Sequence, residues 1–199
     1  MNPKLFIGIT GGIGSGKTTV CQHFSALGVP IYYTDVRAKA LVMSDQNLKN
    51  DIIKYFGNEA YLDDGSYNTR YISNIVFKNN SKLTVLNEII HPAVLADAKK
   101  WQKLQNAPYA IKESALIFEQ QLESSVDKII TVVAPTALRI ERIQKRDNLT
   151  TEQIEQRIKN QLLDNIKVLK SDILIFNHAN SDIEKQVKFI HNYIITNLV

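Results

Sequence analysis

A single cysteine, Cys21, stands among the 199 residues, so no intramolecular disulfide framework is available. Long apolar runs are missing too, and none reaches the length of a membrane span. The opening residues lack the shape of a secretory leader, because the apolar stretch Leu5–Thr10 is too short and runs straight into glycines. These absences set the expectation of a cytoplasmic protein without a membrane partner. Net charge is small: 24 basic and 20 acidic residues leave +4. That excess suits a small anionic substrate, and equally a generic basic surface. It is too weak and dispersed to argue for nucleic acid. Cysteine and histidine do not cluster at zinc-ligand spacing. No repeat or low-complexity tract interrupts the chain. No Asn/Thr-Lys-x-Asp sequence is present to read guanine, which argues against a GTPase. The length suits one domain with a sub-domain or two, expected as a monomer.

What is present alternates between two periodicities. Leu5–Thr10 is a short apolar run bounded by glycine, the mark of a buried strand. Thr18–Leu27 reads as a helix stopped by Gly28. Val29–Asp35 ("VPIYYTD") reads as a second strand, rich in β-branched and aromatic residues. From Val36 to Gln105 apolar residues recur at helical spacing, broken by "GNEAYLDDGS" and "KNNS", which predicts a mostly helical insertion. Tyr109–Ser114, Asp127–Ala134 and Asp172–Asn177 are further strands. Pro135–Arg146 is an arginine-rich helix. "NLTTEQIEQRIKNQLL" opens on a Thr-Thr-Glu capping signal and continues as an amphipathic helix, and Ile183–Leu198 is a terminal helix. Strands alternating with helices predict an α/β fold, a five-stranded parallel sheet between two helical layers.

The densest signal is Gly11-Gly12-Ile13-Gly14-Ser15-Gly16-Lys17-Thr18, which fits G-x-x-x-x-G-K-[ST] between a predicted strand and a predicted helix. Backbone N–H groups of such a loop wrap a phosphate chain, where a Cβ would hold the phosphate off. The helix that follows points its positive end at the anion. Lys17 is placed to reach the β- and γ-phosphates, and the Thr18 hydroxyl to coordinate Mg²⁺. A dinucleotide fold also has glycines after its first strand, and Asp35 would suit its acidic position. The spacing here is not G-x-G-x-x-G, however, and the Lys-Thr pair has no role in such a site.

A P-loop names a nucleotide phosphate and no reaction. A helical insertion after the second strand and an arginine-rich segment after the fourth suggest a small-molecule kinase, one segment holding the acceptor and the other closing as a lid. "GITGGIGSGKTTV", "LGVPIYYTD", "DDGSYNTR", "IVF", "IIHPAV", "ESALIFE", "VDKIITVVAP", "RIERIQKRD" and "SDILIFN" fall in the order and spacing of dephospho-CoA kinases, so that the chain resembles this family from Ile7 to about Val187. The resemblance implies a P-loop NTPase three-layer fold and transfer of the ATP γ-phosphoryl to the ribose 3′-hydroxyl of dephospho-CoA, with Mg²⁺. It divides the chain into a nucleotide-binding core (1–35, 107–141 and 170–199), a helical substrate-binding part (36–106) and a lid (142–169).

Several residues carry these expectations, most with a plainer alternative. Gly11 to Thr19, including Ile13, Ser15 and Thr19, would hold the nucleotide. Asp35, at the end of the second strand, would take or orient the acceptor hydroxyl, and matches the family's aspartate; alternatively it caps the next helix. Arg142 and Arg146, four apart, would clamp the transferring phosphate as the family's lid arginines do, or form a solvated face paired with Glu141 or Asp147. Glu113 ends the third strand, where a carboxylate could hold Mg²⁺ through water. Asn177 ends the fifth strand, near the adenine or as a simple turn residue. Arg157 and Gln161 match family positions on the next helix but would also suit a surface. The resemblance alone lifts Arg70, and it makes Lys39, where the family usually has arginine, a phosphate contact. His91 would touch phosphate or substrate, or simply precede a helix begun at Pro92. Where the family has Ile-Asp, this chain has Tyr32-Tyr33; where it has proline, Ala115; and where many members have glutamine, Arg139. Two other readings remain open: a kinase of the same fold acting on a nucleoside monophosphate or a sugar, and a nucleotide-binding switch.

Overall fold

The structure is a computed structural model that describes residues 5–147 and 149–199. Five strands, β1 (Leu5–Thr10), β2 (Ile31–Tyr33), β3 (Tyr109–Glu113), β4 (Lys128–Val133) and β5 (Ile173–Phe176), form one sheet in the order β2-β3-β1-β4-β5, every pair parallel. Parallel strands need crossovers, and helices cover both faces. Alternation along the strands sorts the residues. Ile7, Ile9, Ile111, Ile130, Val132 and Ile175 face one layer, with Val20, Cys21 and Phe24 of α1 (Lys17–Ala26) and Val187, Ile190 and Ile194 of the C-terminal helix Ile183–Asn197. On the opposite face Ile117, Phe118 and Ile129 pack together. There a Cβ on Gly8 would lie 2.8 Å from the Ile117 Cδ1 methyl and 3.2 Å from Val126, so a larger residue in the central strand would have to displace these side chains.

Contacts divide the chain into two units: Thr34–Trp101, and the remainder that holds the sheet. The smaller unit contains α2 (Thr34–Ser44), α3 (Gln46–Phe56), α4 (Thr69–Lys78) and most of α5 (Asn80–Lys103). Its core is Val42, Leu48, Ile52, Phe56, Ala60, Tyr61, Ile72 and Leu86. Asp45 caps α3 by accepting from the N–H groups of Asn47 and Leu48, and Asn68 caps α4 by accepting from that of Tyr71. Arg37 reaches Asp97 with both Nε (2.8 Å) and Nη2 (2.6 Å), a fork that ties α2 to α5.

The sheet-bearing unit continues with α6 (Thr136–Asp147), α7 (Thr151–Lys159), α8 (Asp164–Lys170) and α9 (Ile183–Asn197). Four local differences from the sequence expectation have physical causes. β2 is three residues long, and Thr34 and Asp35 open α2 instead of extending the strand, with Asp35 the acidic residue of its first turn. Pro92 lies inside the 24-residue α5, not at a helix start. The box that caps α7 pairs Thr150 with Gln153, not with Glu152. Finally, α7 stops at Lys159, and the separate helix α8 follows. Among the described residues no helix is long and apolar enough to cross a membrane.

Candidate active site

Between β1 and α1 the glycine loop is held in a shape its sequence alone would not keep. Gly16 sits at φ +95° as the N-cap of α1, a left-handed conformation that favours glycine. It offers no side-chain acceptor to the amides of the first turn. A Cβ on Gly16 would fall inside the Asn177 side-chain amide, and one on Gly12 inside the Arg139 guanidinium. Glycine is thus demanded here by protein packed on the outer side of the loop, an addition to the expectation that a Cβ would hold off phosphate. Within the loop, the Ser15 N–H donates to the Gly12 carbonyl at 3.1 Å.

The loop and α6 enclose a cavity of about 300 Å³ lined by Gly14, Gly16, Lys17, Thr18, Thr19, Arg142, Ile143 and Arg146. Spacing explains the α6 contribution: Arg146 lies three and four residues beyond Ile143 and Arg142, so the three share one helix face. Lys17 lies along the loop, its Nζ donating to the Gly11 carbonyl at 3.0 Å and the Gly12 carbonyl at 3.3 Å. Arg142 donates to the carbonyls of Gly14 and Ser15, both at 3.4 Å, and to Asn177 Oδ1 at 2.9 Å. Asn177 in turn donates Nδ2 to the Ser15 carbonyl at 2.8 Å. Arg146 forks onto its neighbour Asp147 at 2.7 and 2.8 Å, and that partner holds the Asp147 carboxyl below the usual range. Three cations therefore line one cavity whose walls contribute no carboxylate, a setting for a polyanion.

The structure brings the other expected residues together unequally. Gln161, in the link between α7 and α8, accepts the Ile13 N–H on its Oε1 at 2.7 Å and so belongs to the loop's surroundings. Arg157 is exposed on α7 and does not line the cavity. Glu113 ends β3, half-buried. In the smaller unit Asp35 and Lys39 are exposed on α2, Arg70 is exposed in the first turn of α4, and His91 is half-buried in α5. Lys39 lines a second cavity, of about 440 Å³, with Ala38, Val42, Met43, Tyr67, Thr69 and Ile90. Thr69 and Ile90 are the chain neighbours of Arg70 and His91.

Sequence reasoning left Arg139 and Glu119 without a role, and Asp164 and Lys167 unremarked. Arg139 is 2% exposed, donates Nε to the Ile13 carbonyl at 2.8 Å, and forms an ion pair with Asp164 in the first turn of α8. Lys167 is fully buried, its Nζ 2.7 Å from Glu119 Oε1, which also accepts the Leu162 N–H at 2.9 Å. An arginine at a helix position facing a glycine loop, with an acid some 25 residues on, was the available signal.

Comparison with known proteins agrees with this geometry. The family model for dephospho-CoA kinase matches residues 5–182. A dephospho-CoA kinase of Bacteroides fragilis is 34% identical over 182 residues, covering 91% of this chain and 88% of its own. One from Fusobacterium nucleatum is 34% identical over 185 residues, 92% of this chain and 95% of its own. Among solved structures, a Thermus thermophilus protein superposes with a TM-score of 0.83 at 24% identity, each chain covered to 98%. A dephospho-CoA kinase from Campylobacter jejuni gives 0.70 at 22%, again with 98% of each chain covered. At that identity the structural likenesses speak for the fold alone.

Proposed function

The chain belongs to the dephospho-CoA kinase family, a family of ATP-dependent kinases, and on that premise we propose how its residues divide the transfer of the ATP γ-phosphoryl to the 3′-hydroxyl of dephospho-CoA. The observation that carries the assignment is the cavity of Lys17, Arg142 and Arg146 over the glycine loop. Loop amides and the N-terminus of α1 cradle the phosphates of ATP. Lys17 and Arg142 neutralise charge on the transferring group, and Arg146 exchanges Asp147 for phosphate. Asn177, beside the loop, supports the nucleotide. Asp35 orients the 3′-hydroxyl and accepts its proton, giving the attacking oxygen the in-line approach that phosphoryl transfer needs.

Thr18 brings a hydroxyl oxygen to the cavity, a hard donor that suits Mg²⁺ arriving with the phosphate oxygens of its nucleotide. Thr18 would hold the ion through its hydroxyl, and Glu113 would support it through water. Bound, it supplies neutralisation of charge on the β- and γ-oxygens.

Segment 36–106 holds the acceptor. Its 440 Å³ cavity places a cation, Lys39, beside the apolar Val42, Met43 and Ile90. Dephospho-CoA has the matching division, a diphosphate joined to a long, weakly polar arm. Arg70 and His91, next in the chain to two lining residues, are assigned to the same acceptor. Segment 142–169, with Arg157 and Gln161, serves as the lid.

The test is ADP release from Mg-ATP with and without dephospho-CoA, with nucleoside monophosphates in parallel and Asp35→Asn as companion. Release that requires dephospho-CoA, yields CoA and falls in the variant supports the proposal. Release with another acceptor refutes the substrate while keeping the phosphate site. Release indifferent to every acceptor would make the chain a nucleotide-binding switch.

A further inference from the structure

We propose that Arg139 is a positioning residue for phosphate recognition, fixing the Ile13–Gly14 peptide so that the Gly14 N–H is presented to the phosphate cavity. The inference rests on the P-loop assignment above and adds a residue that assignment does not use. Its starting point is covalent geometry. In a planar trans peptide the C=O and the following N–H point in opposite directions, and none of the described peptides is cis. Arg139 Nε takes the Ile13 carbonyl at 2.8 Å. The Gly14 N–H of the same peptide must then point away from Arg139. Gly14 lines the cavity and Arg139 does not. A side chain on the outside of the loop thus sets the direction of an amide on its inside.

Arg139 suits this task because it is itself immobilised. It is 2% exposed, its guanidinium packs against Gly12 so closely that no Cβ is accommodated there, and its charge is met by Asp164. Asp164 opens α8, and that helix is anchored in turn by the buried Lys167–Glu119 pair at 2.7 Å. The segment before it, Gln161–Leu163, also reaches the loop, with Gln161 Oε1 accepting the Ile13 N–H at 2.7 Å. The two peptides flanking the Ile13 α-carbon are therefore gripped from the same stretch of chain, one by Gln161 and one through Arg139 and Asp164. Asn177 repeats the device two residues along: its Nδ2 holds the Ser15 carbonyl at 2.8 Å, which turns the Gly16 N–H the opposite way. Guanidinium geometry matters here, since an Nε–H can bond a carbonyl while the terminal nitrogens serve a carboxylate. A lysine offers one point charge and cannot span both partners.

The experiment compares the unaltered protein with Arg139→Gln, Arg139→Lys and Asp164→Asn, in steady-state assays of CoA formation and in calorimetric titration with ADP alone. The proposal expects Arg139→Gln and Arg139→Lys each to weaken ADP binding and raise the KM for ATP about tenfold, with the KM for dephospho-CoA unmoved. Asp164 is partly exposed and asparagine keeps an acceptor oxygen for Arg139, so Asp164→Asn should lower stability by removing the counter-charge of that buried guanidinium and move the same two quantities a few-fold, even should Arg139→Gln not fold. Lower thermal stability with unchanged ADP affinity in the folded variants would overturn the proposal, leaving Arg139 a packing residue only. Full ADP affinity in Arg139→Lys would also overturn it, because charge without the fork would then suffice. Titration with ADP needs no acceptor. Failure of the unaltered protein to make CoA would count against the kinase assignment and leave the ADP comparison standing.

Discussion

Replacing Glu119 by glutamine tests whether the chain's buried charges hold the α7–α8 link in place. The change keeps an Oε1 acceptor for the Leu162 N–H (2.9 Å) and removes only the negative charge 2.7 Å from Lys167 Nζ. At an effective permittivity of about 20, two unit charges at that separation attract by about 6 kcal/mol. Folding has already spent much of this in taking the fully buried Lys167 out of water. The variant keeps that penalty and loses the attraction, so the cost stays close to the about 3–5 kcal/mol found on breaking buried pairs. Glu119 retains 16% of its side-chain exposure, which places the expected loss near the lower end, about 3 kcal/mol. For a chain of this size that is a fall in Tm of about 6–12 °C. Urea denaturation of Glu119→Gln, Lys167→Met and the double variant gives the coupling directly. With the lysine charge gone, the double variant should regain most of the loss. A Glu119→Gln cost under about 1 kcal/mol, or effects additive within about 0.5 kcal/mol, would refute the reasoning, since contacting charges must couple.

Burial pulls the Lys112 amino group, hydrogen-bonded to Ser125 Oγ at 2.9 Å, down from 10.5 to about 8. Its folded-state pKa is thus lowered, the unfolded chain binds the proton more tightly, and stability rises as pH climbs from about 8 to 10.5. Lys112→Met should abolish that slope and stabilise the protein at pH 7 by at most about 3 kcal/mol, read by urea denaturation at pH 7 and 10. Arg142→Ala should lower kcat by about 10²- to 10³-fold through lost transition-state charge, with a smaller change in the KM for dephospho-CoA. Asp35→Asn should lower kcat by about 10²-fold with ADP binding unchanged, and a simultaneous loss of ADP affinity would point to misfolding. Gly16→Ala forces a Cβ into the Asn177 side chain at φ +95°, so ADP binding measured calorimetrically should disappear while the far-UV spectrum is kept.

Local patterns reached far into this fold. Each of the five strands is a run of apolar or β-branched residues between punctuating glycines, prolines or polar turns, and each was expected within one residue of where it lies, apart from the three-residue β2, which was expected two residues too long at each end. That strand was over-extended because Thr34 and Asp35 suit two roles. β-Branching favours a strand, yet a hydroxyl and a carboxylate also suit a helix start, and the helix won. The glycine loop was legible because its spacing is local. The cations around it were legible only in part, since Arg142 and Arg146 follow helical spacing but their approach to Gly14 and Gly16 spans about 130 residues. No periodicity reports such a contact. Arg139–Asp164 and Lys167–Glu119 escaped for the same reason, and the seven-residue α8 was missed because the helix expected from the capping signal ran on to Leu163 and the short segment between it and β5 was given no element.

The partners of the cavity's cations also account for how a cluster of positive charge is tolerated in a folded chain. Lys17 and Arg142 reach loop carbonyls at 3.0–3.4 Å, longer than the charge-assisted contacts that phosphate oxygens make, while a second Arg142 nitrogen is tied to Asn177 Oδ1 at 2.9 Å. Arg146 rests on Asp147, which is next to it in the chain and can turn to solvent. The carbonyl and Asp147 contacts satisfy donors at low cost and can be exchanged for stronger ones. The braces outside the loop are of another kind: Arg139 on Ile13, Asn177 on Ser15 and Lys167 on Glu119 are short, buried and bound to groups that no phosphate would displace. Exchangeable partners on the inner face and fixed ones on the outer face allow the loop to take up a phosphate chain without rebuilding its backbone. A preorganised phosphate site needs that division, because reorganisation at the moment of transfer would be subtracted from the stabilisation the cations provide.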